Sequence, residues 1–130
     1  MDPGETQAEW FENFKWTTLE EAVGGEWLRE PALDALNWFA LEKALEIGER
    51  ALRELHLEGF IYFVHLQTGE CVKPEDLDRM FTSRTWKRGF PHDEFGDVEY
   101  RQTPRGKERH AALMGIPPRP GSDALSEPES

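Results

Sequence analysis

The stretch that decides the fold of this chain is 41–66, LEKALEIGERALRELHLEGFIYFVHL. Its first part carries leucines that share one helical face: Leu41, Leu45, Leu52 and Leu55. Apolar residues at this spacing are typical of an amphipathic helix. Either one helix runs from Ala32 to His56, or a turn at Gly48 separates two helices. A glycine inside a helix costs about 1 kcal/mol relative to alanine, which favours the break.

A glycine stop and a strand complete this stretch. Gly59 lies where a helix C-cap favours a left-handed residue. Aromatic and β-branched residues then fill 60–64 and predict a strand. Residues 98–102 alternate in polarity and predict a returning strand, so the two strands form an antiparallel hairpin. Thr103 caps a last helix, with Pro104 at its first position.

Further helices are predicted before residue 41. Trp10 and Phe14 have the spacing of one helical face. Thr17 or Thr18 caps a second helix, which the glycines at 24–25 weaken or end. We expect these helices to cover the hairpin.

The connection between the two predicted strands is long and locally basic. Residues 74–80 predict a short helix, and 81–97, FTSRTWKRGFPHDEFGD, predict an exposed loop. The part from 79 to 92 holds four basic residues and no acidic one, a charge of +4. The whole chain has a net charge of -11 and a pI near 4.8. This acidity disfavours nonspecific nucleic-acid binding, and the basic segment is the exception to it.

Length and composition predict one domain. The 130 residues suffice for one core, and five Trp and eight Phe supply large apolar areas for it. We expect a flexible N-terminus over 1–9, a single domain over 10–114 and a disordered, acidic Pro/Ser/Gly-rich tail over 115–130. No signal peptide is predicted, and no apolar run approaches the roughly 20 residues of a membrane span. The expectation is a cytoplasmic protein without membrane contact.

The sequence shows no constellation typical of catalysis. The four histidines are scattered, and none forms a HExxH pair. Cys71 is the only cysteine, which excludes an intramolecular disulfide and a multi-thiolate metal site. His65 and Cys71 would meet across a hairpin turn, but two ligands do not make a zinc site. We therefore expect a noncatalytic protein without a metal ion or other cofactor.

Two separated segments resemble the winged-helix (helix-turn-helix) domains of transcriptional regulators. In 50–61, leucines occupy the helix core positions and Gly59 matches the helix stop. In 100–106, the aromatic residue, the cap and the glycine of the strand-to-helix junction are matched by Tyr100, Thr103 and Gly106. Gln102 departs from the pattern, because such domains place an apolar residue there. The resemblance implies an α+β fold, mainly helical, with a small antiparallel hairpin and a long wing insertion.

The same resemblance implies a small regulator that contacts DNA as a homodimer. In such domains the helix before the hairpin enters the major groove, and the wing touches the backbone. The nucleic-acid-binding candidates are then Arg50 and Arg53 on the helix, and Arg84, Trp86, Lys87 and Arg88 on the wing. The ring of Trp86 either stacks on a base or anchors an interface, or it folds back over the sheet. Further bases would extend this positive face: Arg101, Arg105, Lys107 and Arg109.

Acidic residues on the same helix support an alternative hypothesis. The helix carries glutamates that would face phosphates at a cost: Glu46, Glu49, Glu54 and Glu58. Both arginines of the helix also have glutamates at i,i+4 with which to pair. The alternative is a noncatalytic acidic protein-interaction module. Its carboxylates would mimic DNA phosphates and bind a basic, nucleic-acid-handling protein.

Overall fold

A computed structural model describes residues 7–115, which form an α+β fold. The described helices are α1 (Gln7–Glu21), α2 (Glu30–Ala35), α3 (Leu41–Leu57), α4 (Leu77–Phe81), α5 (Arg84–Arg88) and α6 (Pro104–Leu113), with a 3-10 turn at Pro74–Asp76. The strands are β1 (Glu26–Trp27), β2 (Ile61–His65) and β3 (Val98–Gln102). Most of the predicted flexible start and almost all of the predicted tail, 1–6 and 116–130, lie outside the described residues.

The three strands form one antiparallel sheet in the order β1-β3-β2. Ile61 pairs with Gln102 at one end of the β2–β3 pair, and His65 pairs with Val98 at the other. This register confirms the predicted hairpin. The short strand β1 pairs with the other edge of β3 and was not predicted, because two residues show no periodicity.

The N-terminal segment is one helix rather than two. Thr17 and Thr18 do not cap a second helix but lie inside α1. Their hydroxyls donate to the backbone carbonyls of Asn13 and Phe14, each at 3.0 Å. The predicted stop is confirmed, because both glycines at 24–25 have positive φ angles, of 80° and 94°.

The predicted break at Gly48 is wrong. α3 passes through this glycine, and the chain instead breaks between α2 and α3, over 36–40. A Cβ atom at Gly48 would lie 2.9 Å from the backbone nitrogen of Ala32 and 3.1 Å from Cη2 of Trp86. The missing side chain therefore lets α2 and Trp86 approach the helix backbone, and this packing offsets the low helix propensity of glycine.

The two segments that carry the resemblance contact each other at the end of α3. Gly59 has the predicted left-handed conformation, with a φ of 82°. Thr103 Oγ1 donates to the Gly59 carbonyl at 2.6 Å and accepts from the Gly106 amide at 3.0 Å. A Cβ atom at Gly106 would overlap the carbonyl oxygen of Phe60. These contacts confirm the predicted cap and join the end of α3 to the start of α6.

The segment predicted as an exposed loop over 81–97 is folded. α5 lies within it, and the side chains of Phe81, Trp86 and Phe95 are buried. The rings of Phe81 and Trp86 meet edge to face, with centroids 5.0 Å apart. Since Trp86 also contacts Gly48, the connection 66–97 folds back onto α3 instead of extending into solvent.

One core unites the sheet, α3 and the connection 66–97. Leu52, Phe63 and Trp86 are all fully buried in it. Gln102, the departure from the family pattern, is also buried, and its Nε2 donates to the Leu19 carbonyl at 2.9 Å. The polar side chain therefore ties β3 to α1 without leaving its amide nitrogen unpaired.

Replacing Gly48 with alanine should destabilise the protein, although alanine is the better helix former. The added methyl group overlaps Ala32 and Trp86, and such overpacking costs about 1–3 kcal/mol. Urea denaturation measures the free energy of unfolding. As a control on the same helix, the exposed Glu46→Ala should change it by less than about 0.5 kcal/mol. An increase in stability for Gly48→Ala would contradict the packing described.

Candidate interaction surfaces

The two arginines predicted to contact a DNA groove lie in ion pairs. Arg50 Nε donates to Glu54 Oε2 at 3.0 Å. Arg53 Nε donates to Glu49 Oε2 at 2.8 Å, and its Nη2 donates to Asp78 Oδ1 at 2.7 Å. The expected i,i+4 pairs are thus present at both positions. Asp78 belongs to α4, so Arg53 also ties α3 to the connection 66–97.

The glutamates of α3 are largely paired as well. Lys15 of α1 is buried, and its Nζ lies 3.2 Å from Glu54 Oε1 and 3.5 Å from Glu58 Oε1. Glu46 pairs with Lys43, at 3.5 Å. Most acids of this helix therefore have a basic partner, so the helix is neither a basic nor a strongly acidic surface.

Trp86 is not available to stack on a base, because its side chain is fully buried. The ring folds back into the core, one of the two interpretations of the sequence. Ser83 caps α5, and Gly89 ends it with a φ of 70°. Arg29, which precedes α2, donates from its Nε to the carbonyl of Trp86 at 2.8 Å. This bond joins the start of α2 to α5. The other candidates on α5 remain exposed: Arg84, Lys87 and Arg88.

The predicted basic segments start from opposite ends of the β2–β3 pair. The connection 66–97 leaves at the His65–Val98 end, whereas α6 begins beyond the Ile61–Gln102 end. α6 packs on α1 and β3, and α5 packs on α4. The guanidinium groups of α6 lie over aromatic rings, with Arg109 4.9 Å from the ring centroid of Trp16. This topology does not favour one continuous positive face.

A histidine–aspartate pair closes the base of the connection 66–97. His65 Nδ1 lies 3.0 Å from Asp97 Oδ1, and Asp97 Oδ2 accepts from the Gln67 amide at 3.0 Å. Burial opposes ionisation of Asp97, but the hydrogen bonds from Gln67 and His65 outweigh it and lower the pKa of the carboxyl. Among the described residues, no group of three or more His, Cys, Asp or Glu is arranged to hold a metal ion. The pair therefore fits a role in joining the ends of the connection.

Four acidic residues on α1, β1 and α2 influence one another or Tyr100 electrostatically, and we call them the carboxylate cluster: Glu21, Glu26, Glu30 and Asp34. The neighbouring Asp34 side chain contributes to a raised pKa of both the Glu21 and the Glu30 carboxyl groups. Glu26 lies opposite Tyr100 in the β1–β3 register. Within residues 7–115, none of the four forms an ion pair with a lysine, arginine or histidine.

Burial and mutual repulsion both disfavour ionisation in this cluster. Burial, then the hydrogen bond and charge of Asp34, raise the pKa of Glu21 to about 8. Burial and the neighbouring carboxylates also raise the pKa of Glu30. The pKa of Tyr100 is raised as well, first by burial and then by the charges of all four acids. The Tyr100 hydroxyl and Glu21 Oε1 are buried without a hydrogen-bond partner in the described structure.

The carboxylate cluster was not predicted from the sequence. Its only sequence signal is the excess of acids in residues 1–30, eight against two bases. Charge counting does not show which acids influence one another, because that depends on how the glycine turn and β1 place α1 relative to α2.

Comparison of the chain with models of protein families, with curated proteins and with solved structures finds no match. Within residues 7–115, none of the helices has both the length and the apolar composition needed to cross a lipid bilayer.

Glu21 should make the protein less stable as pH rises. Between about pH 4.5 and 8, the unfolded chain loses the Glu21 proton while the folded protein keeps it, so stability falls with pH. Glu21→Gln should remove much of this slope and stabilise the protein at pH 8 by about 1–2 kcal/mol, a value reduced for partial exposure. Urea denaturation at pH 5, 6.5 and 8 measures the slope.

The matched control is Glu20→Gln, at the exposed neighbouring position of the same helix. It should leave the pH dependence of the wild-type protein unchanged. Parallel stability profiles for the wild-type protein and Glu21→Gln would show that Glu21 ionises normally in the folded state.

Proposed function

We propose that this chain is a noncatalytic acidic interaction module that binds a basic segment of a partner protein. The observation that carries the proposal is the carboxylate cluster, whose four acids form no ion pair with a base among the described residues and disfavour ionisation within the cluster. A partner that supplies the missing positive charge relieves this repulsion. The gain is larger at the cluster than on α3, because most acids on α3 already have basic partners.

The charge of the whole chain supports the same kind of partner. At a net charge of -11, long-range attraction steers basic proteins towards the surface and repels nucleic acid. Proteins that handle nucleic acid often carry basic patches. We therefore place the partner in that class, with carboxylates at positions that phosphates would otherwise occupy.

A second candidate function is DNA contact by a winged-helix regulator acting as a dimer. It is supported by a helix that ends at Gly59, a hairpin, and a returning strand that leads into the helix capped by Thr103. The exposed bases of α5 would contact phosphates in this arrangement. The pairing of Arg50 and Arg53 within the protein, and the burial of Trp86, favour the first proposal over this one.

Binding of a labelled peptide of alternating arginine and glycine tests the proposal by fluorescence anisotropy. Neutralising the cluster with the triple change Glu26→Gln, Glu30→Gln and Asp34→Asn should weaken binding by at least about tenfold, or 1.4 kcal/mol. The expected loss arises because the partner's charges then have no carboxylates to neutralise. Added salt should also weaken binding to the wild-type protein.

The control removes the same amount of charge from exposed acids that have no ion pair among the described residues: Glu42→Gln, Glu70→Gln and Glu75→Gln. It should change the affinity by less than about twofold, because the net charge alone does not select a site. Equal losses in the two triple variants would contradict the assignment to the cluster.

A pool of random DNA duplexes in the same assay tests the second candidate. Selection of discrete sequences, with binding lost in Arg84→Ala, Lys87→Ala and Arg88→Ala, would favour DNA contact. We expect no such selection, and the triple alanine variant should keep its affinity for the basic peptide.

A further inference from the structure

A small cavity lies between α1 and α3, and it shares no lining residue with the carboxylate cluster. It has a volume of about 130 Å³, and its apolar lining consists of Trp10, Phe11, Phe39 and Ile47. The first two residues belong to α1 and Ile47 belongs to α3, whereas Phe39 lies in the turn between α2 and α3. These side chains form a hydrophobic cluster that is separate from the core around Trp86.

The aromatic walls of the cavity hold one another in place. The rings of Trp10 and Phe39 meet edge to face, with centroids 5.2 Å apart, and Trp10 stacks on Phe14 with centroids 5.3 Å apart. Aromatic walls favour an aromatic ligand, because ring pairs gain from stacked and edge-to-face contacts. Apolar cavities of roughly 150 Å³ bind benzene, so this cavity has the size for a single six-membered ring.

Two basic side chains line the opening of the cavity. Lys43 and Arg50 are exposed, whereas Trp10, Phe11 and Ile47 are buried and form the floor. The Arg50 guanidinium carbon lies 3.8 Å from the ring centroid of Phe11, a contact that holds the charge beside the cavity. None of the described residues that line the cavity is acidic. In a chain of net charge -11, the lining of this cavity is therefore locally positive.

Both bases have donors to offer to a ligand in addition to those used in their ion pairs. Arg50 donates to Glu54 from Nε, and the two other nitrogens of a guanidinium group can also donate to a carboxylate. Lys43 pairs with Glu46 at 3.5 Å, and an ammonium group carries three N–H donors. Neither glutamate lines the cavity. An anion at the opening can therefore contact both bases while these pairs stay in place.

We propose that this cavity binds a small aromatic carboxylate, with its ring on the apolar floor and its carboxylate at the opening. Transfer of the ring from water to the floor supplies the apolar part of the binding energy. Arg50 and Lys43 bind the carboxylate and fix the direction in which the ligand enters. The ligand is a free acid rather than part of a polypeptide, because the cavity has room for little more than one ring. This site is independent of the basic partner proposed above.

Titration of the full chain with phenylacetate, followed by nitrogen–proton correlation NMR, tests the site. We expect saturable shifts of the Trp10 indole N–H and of the backbone amides around Ile47. Phenylacetamide has the same shape without the charge and should bind at least about tenfold more weakly, because charge-assisted hydrogen bonds are the stronger ones. Acetate lacks the ring and should cause no shift of Trp10 at the same concentrations.

The double change Lys43→Gln and Arg50→Gln separates the role of charge from that of packing. It should weaken phenylacetate binding by at least about tenfold and change phenylacetamide binding by less than about twofold, since the apolar floor stays intact. The matched control, Arg88→Gln with Lys107→Gln, removes the same charge from exposed bases that do not line the cavity. It should leave both affinities unchanged.

Filling the cavity from its floor provides a second test. Ile47→Phe adds a ring where the ligand would lie and should abolish binding of phenylacetate and phenylacetamide alike. Circular dichroism checks that each variant is folded, and the double variant tests the site even where Ile47→Phe does not fold. Absence of saturable binding, equal affinity for phenylacetamide in the wild-type protein, or equal losses in the two double variants would each overturn the inference. Tighter binding of a peptide that ends in phenylalanine would overturn the assignment to a free acid.

Discussion

The packing of Trp86 against the backbone of α3 is the contact on which the rest of the described structure depends. The ring reaches within van der Waals distance of the Gly48 position and meets Phe81 edge to face. It fills the space that a side chain at residue 48 would occupy. A 32-residue connection is thereby folded onto the helix, and its charged residues are held at fixed positions instead of on a mobile wing.

This packing changes what α3 offers to a partner. Arg53 pairs with Asp78 from the connection 66–97, and Lys15 brings positive charge from α1 to Glu54. These pairs leave little unbalanced charge on the helix that the winged-helix resemblance would place in a DNA groove. Unbalanced negative charge collects instead at the carboxylate cluster, where partial burial strengthens electrostatic interactions. The binding surface that we propose therefore lies at the α1–β1–α2 junction.

Local signals in the sequence were enough to predict the hairpin and its junction with α6. The short-range pattern shows a helix stop at Gly59, a helix cap at Thr103 and a close backbone approach at Gly106. In the folded protein these three residues contact one another's segments. The break at Gly48 was predicted wrongly, because that glycine serves a contact with residues far away in the chain. The burial of Trp86 was left open for the same reason. The basic residues beside it do not show whether the tryptophan is exposed or buried, because its packing partners lie far away in the chain. The cluster depends on which charges share a surface, which charge counting does not show.

Native-state hydrogen exchange of α5 is the most direct test of the packing of Trp86 against α3. The amides of Lys87 and Gly89 donate to the carbonyls of Ser83 and Thr85. A free five-residue helix would not hold these bonds, since isolated helices of this length are unstable in water. We predict protection of both amides close to that of the α3 amides, because opening α5 requires removal of Trp86 from the core. Exchange of both amides at the rates of an unstructured peptide, with α3 still protected, would contradict this packing.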